Sequence, residues 1–154
     1  EDELDLGIFF SQEPEAAAGF DSCVLYKDEM VLVYRGQEEY EETEEGLRRL
    51  LAERGVLLIE KEFRGMSQMM GILDAIGSAP KIRFCENGRE MELMVESGES
   101  SAVIPKSMVL EFHNKKLHIR RFKKPEARLY LVALWKKGSR LAEKLAREAA
   151  KELG

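Results

Sequence analysis

The stretch of this sequence best suited to chemistry is Phe63-Arg-Gly-Met-Ser67, which opens a helix predicted from the apolar spacing that follows it. The first N–H groups of a helix have no internal partner, and the dipole end there is positive, so the position suits a carboxylate. Arg64 and Ser67 would add further donors, with Gly65 and Met66 between them. A plain capped helix start with a solvated arginine is an equally good interpretation.

Four further residues could line a cleft. Ile104 and Pro105 stand at the C-terminal end of a predicted strand, where small ligands bind in open α/β sheets. Phe9 and Phe10 end the first predicted strand and would line the other side. Burial in the core is the alternative for Ile104 and for both phenylalanines. Asn87 is better interpreted as a helix cap than as a ligand contact.

Catalytic chemistry finds little support. His113 and His118 are the only histidines, and a helix end followed by a strand is poor metal-ligand spacing. The sequence contains no glycine-flanked nucleophilic serine, P-loop or dinucleotide fingerprint. Cys23 and Cys85 lack motif spacing and are interpreted as reduced thiols. We therefore expect no enzyme activity, no metal and no cofactor.

The segment Glu90 to Pro105 organises the rest of the chain. Met91, Met94 and Val95 have helical spacing, Gly98 stops that helix, and the apolar residues 101–104 form a short buried strand. Pro105 follows the strand directly and can open the next helix. A helix, a glycine stop and a strand make half of a βαβ unit.

The flanking sequence repeats this alternation. Apolar runs and helical spacings predict strands, helices and a turn in an α/β fold with a mainly parallel sheet. The predicted strands cover residues 4–9, 20–26, 30–34, 56–59, 81–84, 101–104, 117–121 and 128–135, with a polar turn at 27–29. The predicted helices are centred on Leu47–Leu51, Met66–Ile76, Met91–Val95 and Lys106–Phe112, and the last, capped by Ser139, carries a stripe of Leu141, Leu145, Ala149 and Leu153.

Length and composition favour a cytoplasmic protein. The chain has 154 residues, of which 44% are hydrophobic, enough to bury a core. No apolar run approaches the roughly 18–20 residues that span a membrane. The acidic start lacks a methionine and does not resemble a signal peptide, so we expect a part of a longer protein.

The net charge of −5 is unevenly distributed. Residues 1–62 carry 18 acidic and 6 basic side chains, whereas residues 63–154 carry 11 acidic and 18 basic ones. A nucleic-acid surface would also interleave aromatic residues with the basic ones, which this sequence does not do. We interpret the asymmetry as a solvated surface or as charge matching between two copies of the chain.

Five segments in a fixed order resemble the effector-binding domain of LysR-type transcriptional regulators, nearly from end to end. They are ELDLGI, VLYKDEMVLVY, GVLLIE with its following helix, ENGREMELMVESGESSAVIP, and RLYLVALWKKGSRLAEKLAREAAKEL. The resemblance implies a fold like the type II periplasmic binding proteins, with two α/β lobes joined by crossover strands. Ser100 stands where the family usually has glycine.

The resemblance also implies a domain organisation. Residues 1–154 would form a partial effector-binding domain, with the second lobe at about 35–127. Residues 1–29 and 128–154 would supply strands and the C-terminal helix of the first lobe together with the crossover. The first part of the first lobe, the helix-turn-helix and its linker helix would be absent, so we expect weak or no effector binding by this chain alone.

The implied function is sensing. A small anionic metabolite, expected to be a carboxylate because of the donors at Arg64 to Ser67, would bind between the lobes and control DNA binding by the absent domain. The implied assembly is a homo-oligomer, a dimer or tetramer, with no membrane contact. A solute-binding sensor or transport component of similar fold is the alternative, and an enzyme on a two-lobed scaffold is a third class.

Overall fold

Helices and strands alternate along most of the chain, which confirms the predicted α/β class. The computed structural model describes residues 6–12, 18–36, 40–59, 63–114 and 116–153. The strands are β1 (Leu6–Ser11), β2 (Phe20–Tyr34), β3 (Val56–Ile59), β4 (Ile82–Cys85), β5 (Ser101–Pro105), β6 (His118–Arg121) and β7 (Arg128–Lys136). The helices are α1 (Glu44–Arg54), α2 (Phe63–Ile76), α3 (Gly88–Glu96), α4 (Lys106–Val109) and α5 (Arg140–Leu153), with a 3₁₀ helix at Pro125–Ala127.

The chain divides into two compact units. Unit 1 comprises residues 1–29 and 128–154, and unit 2 comprises residues 30–127. Strand β2 contributes to both, because its residues 20–29 pair with β7 in unit 1 and its residues 30–34 pair with β5 and β6 in unit 2.

In unit 1, β7 lies between β1 and β2 and runs antiparallel to both. Helix α5 covers this sheet with small side chains, since Ala142 and Ala146 are buried in a cluster with Trp135. Of the predicted stripe on α5, Ala149 packs against this cluster, whereas Leu141, Leu145 and Leu153 are exposed, so the stripe as a whole is not the buried face. Alanines face the sheet because they let the helix approach closely over the bulky Trp135 ring, which is itself fully buried.

The predicted polar turn between two strands is also wrong. Residues 20–34 form one continuous strand, in which Lys27, Asp28 and Glu29 pair with residues 130, 129 and 128 of β7. The register shifts between Val24 and Tyr26, where one extra residue forms a bulge. Pairing with β7 supplies the backbone hydrogen bonds that keep these polar residues in a strand.

In unit 2, the strands lie in the order β6–β2–β5–β3–β4. Parallel pairing among the described residues is confined to β3 with β4 and β3 with β5, whereas β2 runs antiparallel to β5 and β6. The prediction of a mainly parallel sheet is thus wrong. Alternating helices give parallel neighbours only where a crossover helix joins the strands, and β2 has none before it.

The core of unit 2 forms between the sheet and the helices. Val33, Leu57, Met91 and Val95 are buried in one cluster that α3 closes on one face. Burying each such side chain contributes about 1.5–3 kcal/mol. Helix α4 ends at Val109 rather than at the predicted Phe112, because residues 110–112 continue as turns.

Local signals set the helix ends as the sequence indicates. Thr43 caps α1 by accepting a hydrogen bond of 3.0 Å from the Gly46 N–H. Gly55 ends α1 at φ +67°, a backbone conformation that favours glycine, and its N–H donates to the Leu51 carbonyl. Asn87 caps α3 through the Glu90 N–H at 2.9 Å, which confirms its interpretation as a cap.

Candidate functional site

The C-terminal ends of the parallel strands meet at one edge of unit 2, which we call the strand-end edge. Ile59 pairs with Cys85 in the register of β3 and β4, and β5 lies parallel on the other side of β3. Helices α2, α3 and α4 all begin within a few residues after these strand ends. Ligands bind at this edge in open α/β sheets, because loops and helix N-termini converge there.

Helix α2 begins at the strand-end edge, at Phe63. Its 14 residues confirm the helix predicted over this segment. Met66 is partly buried and Ser67 is exposed. The side chains of Arg64 and Gly65 lie outside the described residues, so their predicted contacts stay predictions.

The first turns of α2 are held against the end of unit 2. Gln68 is 7% exposed, and its Nε2 donates a hydrogen bond of 3.2 Å to the carbonyl of Glu126. Glu126 belongs to the 3₁₀ helix that precedes β7. This contact fixes the position of the α2 start within the unit.

Pro105 and Ile104 end β5 at the same edge. Pro105 pairs with Met30 and is partly buried. Ile104 is only 3% exposed and packs in the cluster under α3. The core interpretation therefore describes the Ile104 side chain, and Pro105 is the member of the pair nearer the surface.

Phe9 and Phe10 lie on β1 in unit 1. Phe9 pairs with Val132 and is partly buried, whereas Phe10 pairs with Leu131 and is 45% exposed. Exposed aromatic surface on Phe10 is what a ligand-lining role would need, but exposure by itself does not assign one.

A buried acid that the sequence did not indicate ties α3 to the segment after α4. Glu92 is 3% exposed, and its Oε1 accepts hydrogen bonds from the backbone N–H groups of His113 and Asn114. Its Oε2 lies 3.2 Å from His113 Nδ1 and 3.3 Å from Arg89 Nη1. Burial raises the pKa of Glu92, but the hydrogen bonds from His113 and Asn114 outweigh it and hold the pKa below its ordinary value.

A cavity of about 450 Å³ lies beside β6 in unit 2. Its lining combines aromatic, cationic and acidic side chains. The lining residues are Tyr34, Tyr40, Glu42, Thr43, Glu44, Leu47, His118, Ile119, Arg120, Arg121, Phe122, Lys123 and Lys124. We refer to it as the β6 cavity.

Among the residues that the structure describes, there is neither a metal-ligand cluster nor a membrane-spanning helix. Within those ranges, no three His, Cys, Asp or Glu side chains are grouped so that they could hold a metal ion. Cys23 and Cys85 are not joined in a disulfide. Across the same ranges, no helix combines the length and apolar character needed to cross a membrane.

The sequence matches one protein-family model, described as the LysR substrate binding domain, over residues 1–152. No curated protein sequence matches the chain.

Solved structures with the same fold include three regulators. CbnR, a LysR family transcriptional regulator, superposes with a TM-score of 0.64 at 14% identity, covering 94% of this chain and 51% of that one. The reduced OxyR regulatory domain from Pseudomonas aeruginosa gives 0.65 at 17% identity, covering 96% and 72%. The effector binding domain of a BenM variant gives 0.68 at 15% identity, covering 95% and 70%.

These structural matches establish the fold. Sequence identities this low do not allow the roles of individual residues to be transferred to this chain. The chain spans about half the length of CbnR and about 70% of the two isolated domains. The architecture is thus that of a domain with lobes like those of the type II periplasmic binding proteins.

Proposed function

This chain belongs to the LysR substrate-binding domain family, and from that premise we propose that it senses a small anionic metabolite for a DNA-binding domain. The observation that carries the proposal is the family match over residues 1–152, nearly the whole chain. The family consists of regulatory domains and not of enzymes. Its match favours a regulator over the solute-binding transport component that the sequence left open.

We propose the start of α2 as the main effector contact in unit 2. The helix has 14 residues, so its first N–H groups carry a full dipole and lack partners within the helix. Ser67 is exposed in the first turns, and Arg64 would add a charged donor beside it. The anchoring of Gln68 on Glu126 supports a helix start that is already positioned before a ligand binds.

Other proposed contacts complete the site. Gly65 and Met66 would contribute backbone and apolar surface in the first turn of α2, and Pro105 would form a wall at the end of β5. Phe9 and Phe10 on β1 remain predicted contacts. Ile104 would support the end of β5 from the core and would not itself contact a ligand, since its side chain is buried.

The proposed mechanism is a population shift. An effector that binds one arrangement of the regulator more tightly than another moves the equilibrium by its difference in affinity. The change would pass to the DNA-binding domain, and the regulator would act as a dimer or tetramer in the cytoplasm, where its DNA is. The two units would correspond to parts of the two lobes, with residues 35–127 as the second lobe.

A thermal-shift screen of small carboxylates on the intact protein that carries this chain tests the proposal. At a concentration of 100 times Kd, a ligand stabilises the folded state by about 2.7 kcal/mol, which raises the melting temperature measurably. We expect one compound to raise it, and Arg64→Ala to abolish the rise. Arg140→Ala, which removes the same charge from the start of α5 in unit 1, serves as the matched control. A rise that both variants retain would contradict the proposed site.

A further inference from the structure

The β6 cavity has the composition of a second ligand site. It lies wholly within unit 2, between β6, the start of α1 and the segment that precedes it. None of its lining residues belongs to the effector contacts proposed at α2 and β5. The question is whether its charges and surfaces suit a particular class of molecule.

Arg120 supplies a cation that is held in place but not neutralised. Its Nη2 donates hydrogen bonds to the backbone carbonyls of Glu41 and Thr43, the latter at 3.0 Å. Both acceptors are neutral, and Arg120 forms no ion pair within the described residues. Its Nη1 is shielded from solvent and also lacks a partner there. A partly buried charge without a counter-charge is costly, and an anion in the cavity would compensate it.

Three aromatic rings that line the cavity, those of Tyr34, Tyr40 and His118, contact one another. The Tyr34 and His118 rings stack with centroids 5.1 Å apart and an interplanar angle of 24°. Tyr40 meets Tyr34 edge-on, with centroids 5.9 Å apart. Tyr34 and Tyr40 are 8% and 6% exposed, so both rings are fixed by packing. These rings give the cavity an aromatic lining, which favours a partly apolar ligand over a small hydrated ion.

Two further contacts hold the Tyr40 ring in place. The Tyr40 hydroxyl donates a hydrogen bond of 2.5 Å to Glu53 Oε2, and the Arg49 guanidinium lies 5.0 Å from the ring centroid. Burial, followed by the hydrogen bond to Glu53, raises the pKa of Tyr40. Because the hydroxyl is already used, Tyr40 contributes apolar lining and not a hydrogen bond to the cavity, and its position is set before binding.

The remaining charges favour an anion. Four cations (Arg120, Arg121, Lys123 and Lys124) line the cavity against two carboxylates (Glu42 and Glu44), in a chain whose net charge is −5. Lys124 forms an ion pair with Glu44, and the hydrogen bond within this pair holds the pKa of Glu44 below its usual value. Lys123 is exposed and has φ +57°, an uncommon backbone conformation for a residue with a side chain.

We propose that the β6 cavity binds a small organic anion with a planar body, such as an aromatic carboxylate. The carboxylate would lie toward the charges of Arg120 and Lys123, and the ring would lie against the aromatic lining of Tyr34, Tyr40 and His118. This site does not depend on the effector site proposed at α2.

A titration followed by ¹⁵N–¹H NMR tests the proposal on the 154-residue chain, with sodium benzoate as the ligand and acetate and inorganic phosphate as comparisons. Benzoate should give saturable shifts in residues 40–44 and 118–124, and acetate should bind more weakly because it lacks a ring. Shifts confined to residues 63–68 would instead report the α2 site, so the two proposals can fail separately.

Two charge variants of opposite sign sharpen the test. Lys123→Gln removes an exposed cation and should weaken benzoate binding by about two- to fivefold, as expected for one partly screened charge. Glu42→Gln removes an opposing carboxylate and should strengthen binding by a similar factor. Arg140→Gln on α5 is the control with no expected effect. A merely structural role would not produce opposite changes.

Arg120→Gln tests the fixed cation and should abolish saturable binding while the spectrum keeps its dispersion. If that variant unfolds, the comparison of Lys123→Gln with Glu42→Gln decides. Equal affinity in the Lys123, Glu42 and Arg140 variants would overturn the proposal, as would binding of phosphate without benzoate, or benzoate shifts that avoid residues 118–124.

Discussion

Replacing Glu92 with glutamine removes the ionised carboxylate that ties α3 to the segment after α4. The amide keeps one oxygen, which can still accept from the backbone N–H groups of His113 and Asn114. Its NH₂ group replaces the oxygen that lies 3.3 Å from Arg89 Nη1 and 3.2 Å from His113 Nδ1. A donor then faces the Arg89 guanidinium, which is also a donor, and the contacts to an ionised carboxylate are lost.

The expected cost follows from these contacts. A hydrogen bond to a charged group contributes about 1.5–3 kcal/mol. Arg89 is exposed and its share is screened, so we expect Glu92→Gln to lower the free energy of unfolding by about 2 kcal/mol. In a chain of this length that corresponds to about 4–8 °C in melting temperature.

The effect of Glu92 should depend on pH in a defined direction. Its pKa is lower in the folded state than the ordinary value of 4.5. A carboxylate of this kind contributes stability that is fully present above the unfolded pKa and is lost as pH falls through the folded pKa. The difference between the wild-type chain and Glu92→Gln should therefore be constant near neutral pH and shrink as the pH falls below that value.

Urea unfolding followed by circular dichroism, repeated between neutral pH and pH 3, measures both effects. Glu111→Gln is the matched control, because Glu111 is an exposed carboxylate in the same unit. We expect this control to change stability by less than about 0.5 kcal/mol at any pH. Equal stabilities of the Glu92 and Glu111 variants, or a difference that persists unchanged at pH 3, would refute the reasoning.

Two further comparisons test the packing. Gly46→Ala should strongly destabilise the chain, because a Cβ there would overlap the backbone carbonyl of Glu41, whereas Gly71→Ala meets no atom within 4 Å and should stabilise α2 by up to about 1 kcal/mol in urea unfolding. Ala142→Leu should cost about 1–3 kcal/mol by overpacking a fully buried position, whereas Leu141→Ala, at a 61% exposed position, should stay within about 0.5 kcal/mol. If Gly71→Ala proved less stable than Gly46→Ala, or Leu141→Ala less stable than Ala142→Leu, the assigned faces would be wrong.

Local signals in the sequence were enough to predict most elements. The spacing of Leu47, Leu50 and Leu51 with a glycine after them defines α1, and Asn87 marks the start of α3. The sequence could not show that β2 is one continuous strand. Lys27 to Glu29 are extended because they pair with β7, about 100 residues further along. The prediction of a mainly parallel sheet failed for the same reason, since β2 pairs with strands that are far from it in sequence.

The buried face of α5 shows a second limit. A helical stripe of leucines is ordinarily the side that packs, yet the alanine face packs here. This face packs in one cluster with Trp135, a bulky ring that small side chains can approach closely. Side-chain size across an interface is a property of two segments, which the periodicity of one segment does not contain.

The candidate sites divide in the same way. The positions of the α2 start and the β5 end could be predicted because strand ends and helix starts are local patterns, and their role as ligand contacts stays a prediction. Glu92 could not, since its neighbours in sequence indicate only a helix and its burial comes from residues 113 and 114. The β6 cavity joins residues 34–47 with residues 118–124, so its lining exists only in the fold.

The most direct test of the sensing function is a calorimetric titration of the compound found by thermal shift into the intact protein and into its Arg64→Ala and Arg140→Ala variants. The account predicts saturable binding that Arg64→Ala weakens by about tenfold or more and Arg140→Ala leaves unchanged, as expected when one charged hydrogen-bond donor to a carboxylate is lost. Equal affinities in all three proteins would contradict the placement of the effector at the start of α2.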